Sequence, residues 1–589
     1  MEWNHRHRVA LLSACLLTLP ATTFAKDSQQ SADQLAPEAA TGLTEQQAVT
    51  GKDWMIASAN PYASEAGAEI LRQGGNAIDA MVATQLVLGL TEPQSSGIGG
   101  GAFMVYWDQK KTALTTFDGR ETAPFAVTPL LFQDDKGQPL QFFDAVVGGR
   151  SVGTPGTVRL MWYTHQRHGK LNWKKLFDPA IQLAKDGFSV SPRLAALVEK
   201  DQAHLQRFEA TKAYFFNEDG TPIQAGQTLK NPEYANTLRQ IAERGASAFY
   251  TGDIAKDIVK AVRTAPGNPG VLSTMDLATY QVKERPAVCA PYRQYEICGM
   301  GPPSSGALTL GQIMGMLSHY PVDELGPDSL TSWRLLGDAS RLAFADRGRY
   351  MADSDYVPMP TKGLLADDYL QQRAALLNND KALAKAEAGN PPWDHALRYA
   401  MDESLELPST SHFSIVDKDR NVISMTTTIE NGFGSRVMVR GFLLNNELTD
   451  FSFRSHDDGK PIANRVEPGK RPRSSMAPTI VMQKGKPYLA IGSPGGSQII
   501  GYVAKTLVAH LDWGMELQQA INLPNMNNRF GPFELEAGTD AESWAPKLET
   551  LGFTVKIKEL NSGVQAIKLD GKTLTGAADP RREGKVIAK

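Results

Sequence analysis

The residue pattern predicts an α/β chain whose two parts are built differently. Helical apolar spacing dominates from 150 to 260, as in "LNWKKLFDPAIQLAKDGF". From 412 onward, strand-like runs punctuated by Gly, Pro and Asn take over. No internal repeat and no heptad pattern occurs. At roughly 150 residues per domain, 589 residues suggest about four domains, but large layered α/β proteins exceed that size as one unit. The composition, 42% hydrophobic and 21% charged, allows a sizeable core. Net charge is −3 with no long basic run, which argues against a nucleic-acid binder.

The elements follow in order. "MEWNHRHRVALLSACLLTLPATTFAKDSQQ" has Arg6 and Arg8 ahead of an apolar stretch, Val9 to Phe24, too short for a comfortable membrane span. Residues 1–25 read as a signal peptide cut after Ala25, so the mature chain is expected to be exported, periplasmic or secreted. A rival is a lipoprotein box, "LSAC", with Cys15 lipidated; apolar residues continuing past Cys15 argue against it. No later segment is long and apolar enough to span a bilayer. Residues 26 to about 45 read as a flexible leader. "ASEAGAEILRQGGNAIDAMVATQLVLGL" reads as two helices joined at Gly74 and Gly75, and "AFMVYW" as a strand. Cys289 and Cys298 sit in two strand-like runs around a short turn; a cross-strand disulfide and two buried thiols both fit. The Ala/Lys/Asp-rich stretch 370 to 400 reads as a surface segment ending one half.

Several motifs invite chemistry. "SSGIGGGAF" carries Gly97, Gly99 and Ala102 at dinucleotide-motif spacing, but a helix precedes it and a strand follows, the reverse of what that motif needs. A tight glycine turn fits better. "HQRH" puts His165 and His168 one helical turn apart with no acidic neighbour in sequence, so a solvated helix face is expected rather than a metal site. No HExxH and no GxSxG occurs. "IGSPGGSQIIG" runs a strand into Gly495 and Gly496 and then a helix; such a turn is either an ordinary connection or an anion cradle.

"LPSTSHFSIVD" puts Ser409, Thr410 and Ser411 at the mouth of a strand. "KDR" is a turn and "NVISMTTTI" a second strand. A hairpin symmetric about Asp419 pairs Asp417 with Asn421 and Thr410 with Thr428, two hydroxyls on one sheet face.

"TSHFSIVDKDRNVISMTTTIENGFG", "FLLNNELTDF", "RPRSSMAPTI" and "GSPGGSQII" resemble the small subunit of γ-glutamyltransferases (glutathione hydrolases), in that family's order and near its spacing. "DGRETAP", "GTPGTV", "PPSSGALTL", "AFADRGRYM" and "GAADPRR" look like further family signatures. The resemblance spans nearly the whole mature chain. It implies an N-terminal nucleophile hydrolase with a four-layer αββα sandwich, built from both subunits of a self-cleaved precursor. Cleavage between Ser409 and Thr410 would give a large subunit, 26–409, and a small catalytic subunit, 410–589, associated as a heterodimer.

The implied chemistry is coherent. A threonine hydroxyl needs an adjacent base, and the freed α-amine of Thr410, with an ordinary pKa of roughly 7.7–8, is one. Thr428 would orient the Thr410 hydroxyl, and Gly495 and Gly496 match the family's oxyanion hole. Arg120, Ser474 and Ser475 match the groups that take the substrate α-carboxylate. Asp450 matches the acceptor for its α-ammonium, with Glu447 and Glu430 helping. The γ-glutamyl group, from glutathione for example, passes to Thr410 and then to water, an amino acid or a peptide, with no cofactor and no metal.

The chain departs from the family at Arg436 and Arg473, where glycine and an aliphatic residue are usual, and Arg440 adds a third charge. The stretch between Asp450 and Ser474 is shorter than in members with a lid. A more open, basic site would suit a glutaryl or cephalosporin-type acylase or a poly-γ-glutamate hydrolase; alternatively the arginines face solvent or pair with local acids such as Asp457 and Asp458. Retained Asp450 argues against a glutaryl substrate, which brings no ammonium to meet it. An uncut binding or scaffold protein is the reading of another class, and the intact Thr410, Thr428 and glycine pair argue against it.

Overall fold

The computed structural model describes residues 43–402, 404, 407 and 409–589. The expected signal peptide, Cys15 and most of the leader lie outside the described residues. Fourteen strands build two seven-stranded sheets. In chain order they are β1 (Val49–Gly51), β2 (Met55–Ser58), β3 (Gly101–Asp108), β4 (Ala113–Gly119), β5 (Lys283–Pro286), β6 (Val288–Tyr292), β7 (Tyr295–Gly299), β8 (Thr410–Val416), β9 (Val422–Thr428), β10 (Thr479–Gln483), β11 (Lys486–Gly492), β12 (Gln565–Asp570), β13 (Thr573–Ala578) and β14 (Lys585–Ala588). The first sheet runs β14-β2-β8-β9-β3-β4-β5 and the second β1-β13-β12-β11-β10-β7-β6.

The sheets face each other across a thin apolar layer that includes Met55, Val105, Val416, Ile480 and Ile567. Helices cover both outer faces. On the first sheet lie α1 (Pro61–Arg72) and α2 (Ala77–Thr91), backed by the helical block between Thr157 and Arg263. On the second lie α3 (Gly306–Leu317), α4 (Leu330–Tyr350) and α5 (Ile499–Leu511). This is the expected αββα sandwich.

Local sequence explains the helices that seat the site. Asn60 caps α1 and Pro61 opens it. Asn76 and Asp79 form a capping box on α2. Nearly every α2 residue is buried, as an inner-layer helix requires. It ends at "SSGIGGGAF", which is the tight turn expected: a Cβ on Gly100 would lie 2.0 Å from the Thr428 carbonyl oxygen. Cys289 and Cys298 face each other on β6 and β7 and form a disulfide. Among the described residues no helix is long and apolar enough to cross a membrane.

The histidine pair differs from expectation. His165 and His168 do not lie on a solvated face. His165 is buried, bonds the Leu171 carbonyl at 3.0 Å and stands 3.5 Å from Asp79. His168 packs edge-on against Tyr106 and Phe117. The helix that carries them turns one face into the core and leaves Gln166 and Arg167 exposed, and which face is covered its 3.6 period alone does not reveal.

Candidate active site

The β8–β9 hairpin has the expected register, Thr410 opposite Thr428 through Val416 opposite Val422. Alternation decides what each side chain meets. Phe413 and Ile415 point to the helices, while Val416 joins the layer between the sheets. On that inter-sheet face His412 bonds Thr426 at 2.9 Å and Ser414 at 3.2 Å, and Ser424 donates to the Ile491 carbonyl at 3.0 Å. Burial pushes the His412 imidazole down to about 3, so it stays neutral. Thr410 and Thr428 share this face at its end, where the layer opens into a pocket.

The uncut Ser409–Thr410 peptide crosses that pocket. The Thr410 hydroxyl donates to Thr428 Oγ1 at 3.4 Å. Thr428 Oγ1 accepts from the Glu430 amide at 2.8 Å and donates to the Ser409 carbonyl at 2.8 Å. The polarity follows from the partners: an amide can only donate and a carbonyl can only accept. The Thr428 proton therefore points at the carbonyl oxygen of the Ser409–Thr410 peptide bond. The Ser409 hydroxyl is tied to the Gln94 carbonyl at 2.6 Å, outside this chain of bonds.

The pocket holds about 20 Å³, room for a single water. Arg120, Thr428, Glu430, Glu447, Asp450, Ser474, Ser475 and Gly496 line it with Thr410. Of the expected residues, Gly495 stands one position behind the lining. It has φ +134°, and a Cβ there would lie 2.7 Å from the Tyr502 ring, so only glycine fits. Leu407 also lines the pocket, and its backbone amide bonds the Glu430 carboxylate. Leu407 thus forms part of the cavity wall.

Arg120 is fully buried at the end of β4. Its guanidinium pairs with Glu447, bonds Asp450 at 2.5 Å and bonds the carbonyls of Pro472 at 3.2 Å and Arg473 at 2.7 Å. Two of the acids expected to meet an ammonium, Glu447 and Asp450, hold this arginine in the uncut chain. Ser474 Oγ accepts from the Met476 amide at 3.1 Å, and Ser475 Oγ from Arg347 at 2.7 Å. Burial pushes Glu430 well up from the usual carboxylate range, with the Asp450 charge adding to it. Asn446 bonds Glu430 as well.

Two contributors escaped sequence reasoning. Glu121, next to Arg120, is fully buried and within hydrogen-bond reach of Glu447. Burial pushes both carboxyls up from the usual range, with the Arg120 charge opposing it. Arg347 of α4 also bonds Ser305 at 2.8 Å and so ties Ser475 to the start of α3. The motifs "DGRETAP" and "AFADRGRYM" contained both residues, but nothing local marked their aim.

The three unusual arginines do not enlarge a basic pocket, and they do not pair with Asp457 or Asp458. Arg436 bonds Asp201 at 2.8 Å, and Arg440 pairs with Asp257 at 2.5 Å. Arg473 bonds Asp402 at 3.1 Å, both side chains about 1% exposed. The acids come from the first 402 residues, brought in by the tertiary fold. Among the described residues no cluster of His, Cys, Asp and Glu has the arrangement of a metal site.

A threonine at the head of a strand between two helix-covered sheets, with charged groups facing it, defines an amide-cleaving enzyme of the N-terminal nucleophile type. Residues 63–589 match the family model described as gamma-glutamyltranspeptidase, and the chain belongs to that family. It is 37% identical over 593 residues to the glutathione hydrolase proenzyme of Bacillus subtilis (strain 168), covering 98% of this chain and 97% of that protein. The glutathione hydrolase proenzyme of Escherichia coli (strain K12) is 36% identical, covering 90% and 91%. Among solved structures, a cephalosporin acylase from Bacillus halodurans superposes with TM-score 0.81 at 26% identity, covering 94% of this chain and 99% of its own. A chain of Helicobacter pylori gamma-glutamyltranspeptidase gives TM-score 0.54 at 33% identity, covering 56% and 94%.

Proposed function

We propose that this chain is a precursor that cuts its own Ser409–Thr410 bond and then works as a γ-glutamyl hydrolase and transferase on glutathione and related γ-glutamyl amides. The observation that carries the reading is the aligned chain Thr410 hydroxyl, Thr428 hydroxyl, Ser409 carbonyl. The word "proenzyme" in the relatives' names agrees with it.

In self-cleavage the Thr410 oxygen attacks the Ser409 carbonyl carbon. Thr428 donates to the oxyanion that forms, and the proton leaving Thr410 ends on the departing nitrogen. The amide becomes an ester, and water hydrolyses it to a Ser409 carboxylate and a free Thr410 α-amine. The Leu407 segment can then leave the pocket. In turnover that amine takes the Thr410 proton, the hydroxyl attacks the γ-carbonyl, and Gly495 and Gly496 serve the oxyanion. Arg120, Ser474 and Ser475 take the α-carboxylate; Asp450, Glu447 and Glu430 take the α-ammonium. Incoming carboxylate and ammonium replace the arginine–acid contacts of the uncut chain, charge for charge. Export of the mature heterodimer, 26–409 with 410–589, completes the reading.

The acylase reading has the Bacillus halodurans superposition in its favour. Against it stand the neutralised Arg436, Arg440 and Arg473, and the acids around Arg120, which a glutaryl group leaves without an ammonium. Denaturing electrophoresis with N-terminal sequencing tests the reading. Two bands, the smaller starting at Thr410, are expected, and Thr410→Ala should stay one chain. Uncut wild type, or faster turnover of a glutaryl than of a γ-glutamyl anilide, would overturn it.

A further inference from the structure

We propose that Arg582 is a positioning residue for the base of this site: it fixes the backbone of Thr410 and, as a buried cation, keeps the freed α-amine unprotonated near neutral pH. This rests on the reading that Thr410 becomes a chain terminus.

Strand β2 accompanies β8 only from Phe413, opposite Ser58. Residues 410 to 412 therefore lack a strand on that side. Arg582, in the segment leading into β14, reaches into the gap. It is 1% exposed and donates to the Thr410 carbonyl at 3.4 Å and to the Asn561 carbonyl at 3.2 Å. A Cβ on Gly563 would lie 2.7 Å from Arg582 Cδ and 2.6 Å from Pro494 Cγ. The arginine and the residue before the glycine pair therefore press on the same glycine, which places the cation beside both the nucleophile and the glycine turn. The Thr410 amine and carbonyl belong to one residue, so a guanidinium nitrogen 3.4 Å from that carbonyl stands within about 7 Å of the amine.

A cation at that range disfavours an ammonium. The other charges work mostly the opposite way. On the pocket side Arg120 stands with Glu430, Glu447 and Asp450. Behind the strand, Ser411 donates to Glu92 at 3.3 Å, and Glu92 faces Arg193 at 3.4 Å with Glu583 nearby. Burial pushes Glu92 up, with Arg193 and Arg582 opposing it. Asp450 on the pocket side favours an ammonium, and Arg582 behind the strand opposes it.

The test is the pH profile of kcat/KM for a γ-glutamyl anilide, with the smaller chain sequenced first. Arg582→Gln should move the acid limb up by about one pH unit and keep the high-pH plateau. Arg582→Lys should leave the limb in place. An unmoved limb with uniformly lower activity in Arg582→Gln overturns the proposal. If Arg582→Gln is not cleaved, Arg582→Lys decides: a limb at the wild-type pH supports the charge argument, and one shifted up by about a unit overturns it. A wild-type small chain starting elsewhere than Thr410 overturns the underlying reading instead, so the two failures are distinguishable.

Discussion

Replacing Thr428 with valine keeps its shape and removes one hydroxyl. In the folded chain that hydroxyl accepts from the Glu430 amide and donates to the Ser409 carbonyl, each at 2.8 Å. Losing the donor on a developing oxyanion costs roughly 3–4 kcal/mol, about 10²–10³ in rate. Leaving the buried Glu430 amide unsatisfied costs about 1–3 kcal/mol of stability. Thr428→Val should therefore fold with a lower melting temperature and cleave at least about a hundredfold more slowly, while Thr428→Ser, which restores the proton, should stay within about tenfold of wild type. The assay follows newly made precursor on denaturing gels over time, beside a thermal melt of each variant. Wild-type cleavage by folded Thr428→Val would refute the reasoning, because the scissile carbonyl would then not need this donor.

Three further outcomes follow from the geometry. Arg473→Met should lower stability by about 3–5 kcal/mol, measured by urea unfolding, because it leaves Asp402 buried without its ion-pair partner; adding Asp402→Asn should recover much of that. His412 has its folded pKa near 3, below an unfolded value of about 6.5, so its stabilising effect is full above pH 6.5 and fades as pH falls. Between pH 6.5 and 5 the loss should be about 2 kcal/mol by urea unfolding, and His412→Gln should lack that slope. Asp450→Asn should cut γ-glutamyl turnover and raise the glutaryl-to-γ-glutamyl ratio at least about tenfold, since it removes the acceptor for an ammonium that glutaryl lacks; an unchanged ratio would remove Asp450 from recognition.

The hairpin register was legible because its determinants are local. A short turn at Asp417–Asn421 and a side-chain period of two leave one pairing, Thr410 with Thr428. The glycine turn after α2 was legible from the order of helix, glycines and strand. The convergence of Arg120, Asp450 and Ser474 on one cavity was carried by the family motifs, since no local pattern relates positions over 300 residues apart. What stayed hidden is which group each charge meets. Arg436 finds Asp201, Arg473 finds Asp402, and Arg120 rests on Glu447 and Asp450. Such pairings depend on how layers stack, which periodicity does not report. The burial of Glu121 beside Arg120 was hidden for the same reason, and so was the burial of His165.

In the first sheet, β8 and β9 lie between β2 and β3, and β14, from the far end of the chain, closes on β2. A cut at Ser409 would therefore separate two polypeptides woven edge to edge rather than two bodies in contact. Native structure would hardly register the change, but unfolding would. The uncut chain unfolds as a single molecule. The cut one releases two, and its re-formation has to wait for an encounter between them. Refolding yield should then depend on protein concentration after the cut and not before it, making self-cleavage a commitment recorded in the order of the folding reaction.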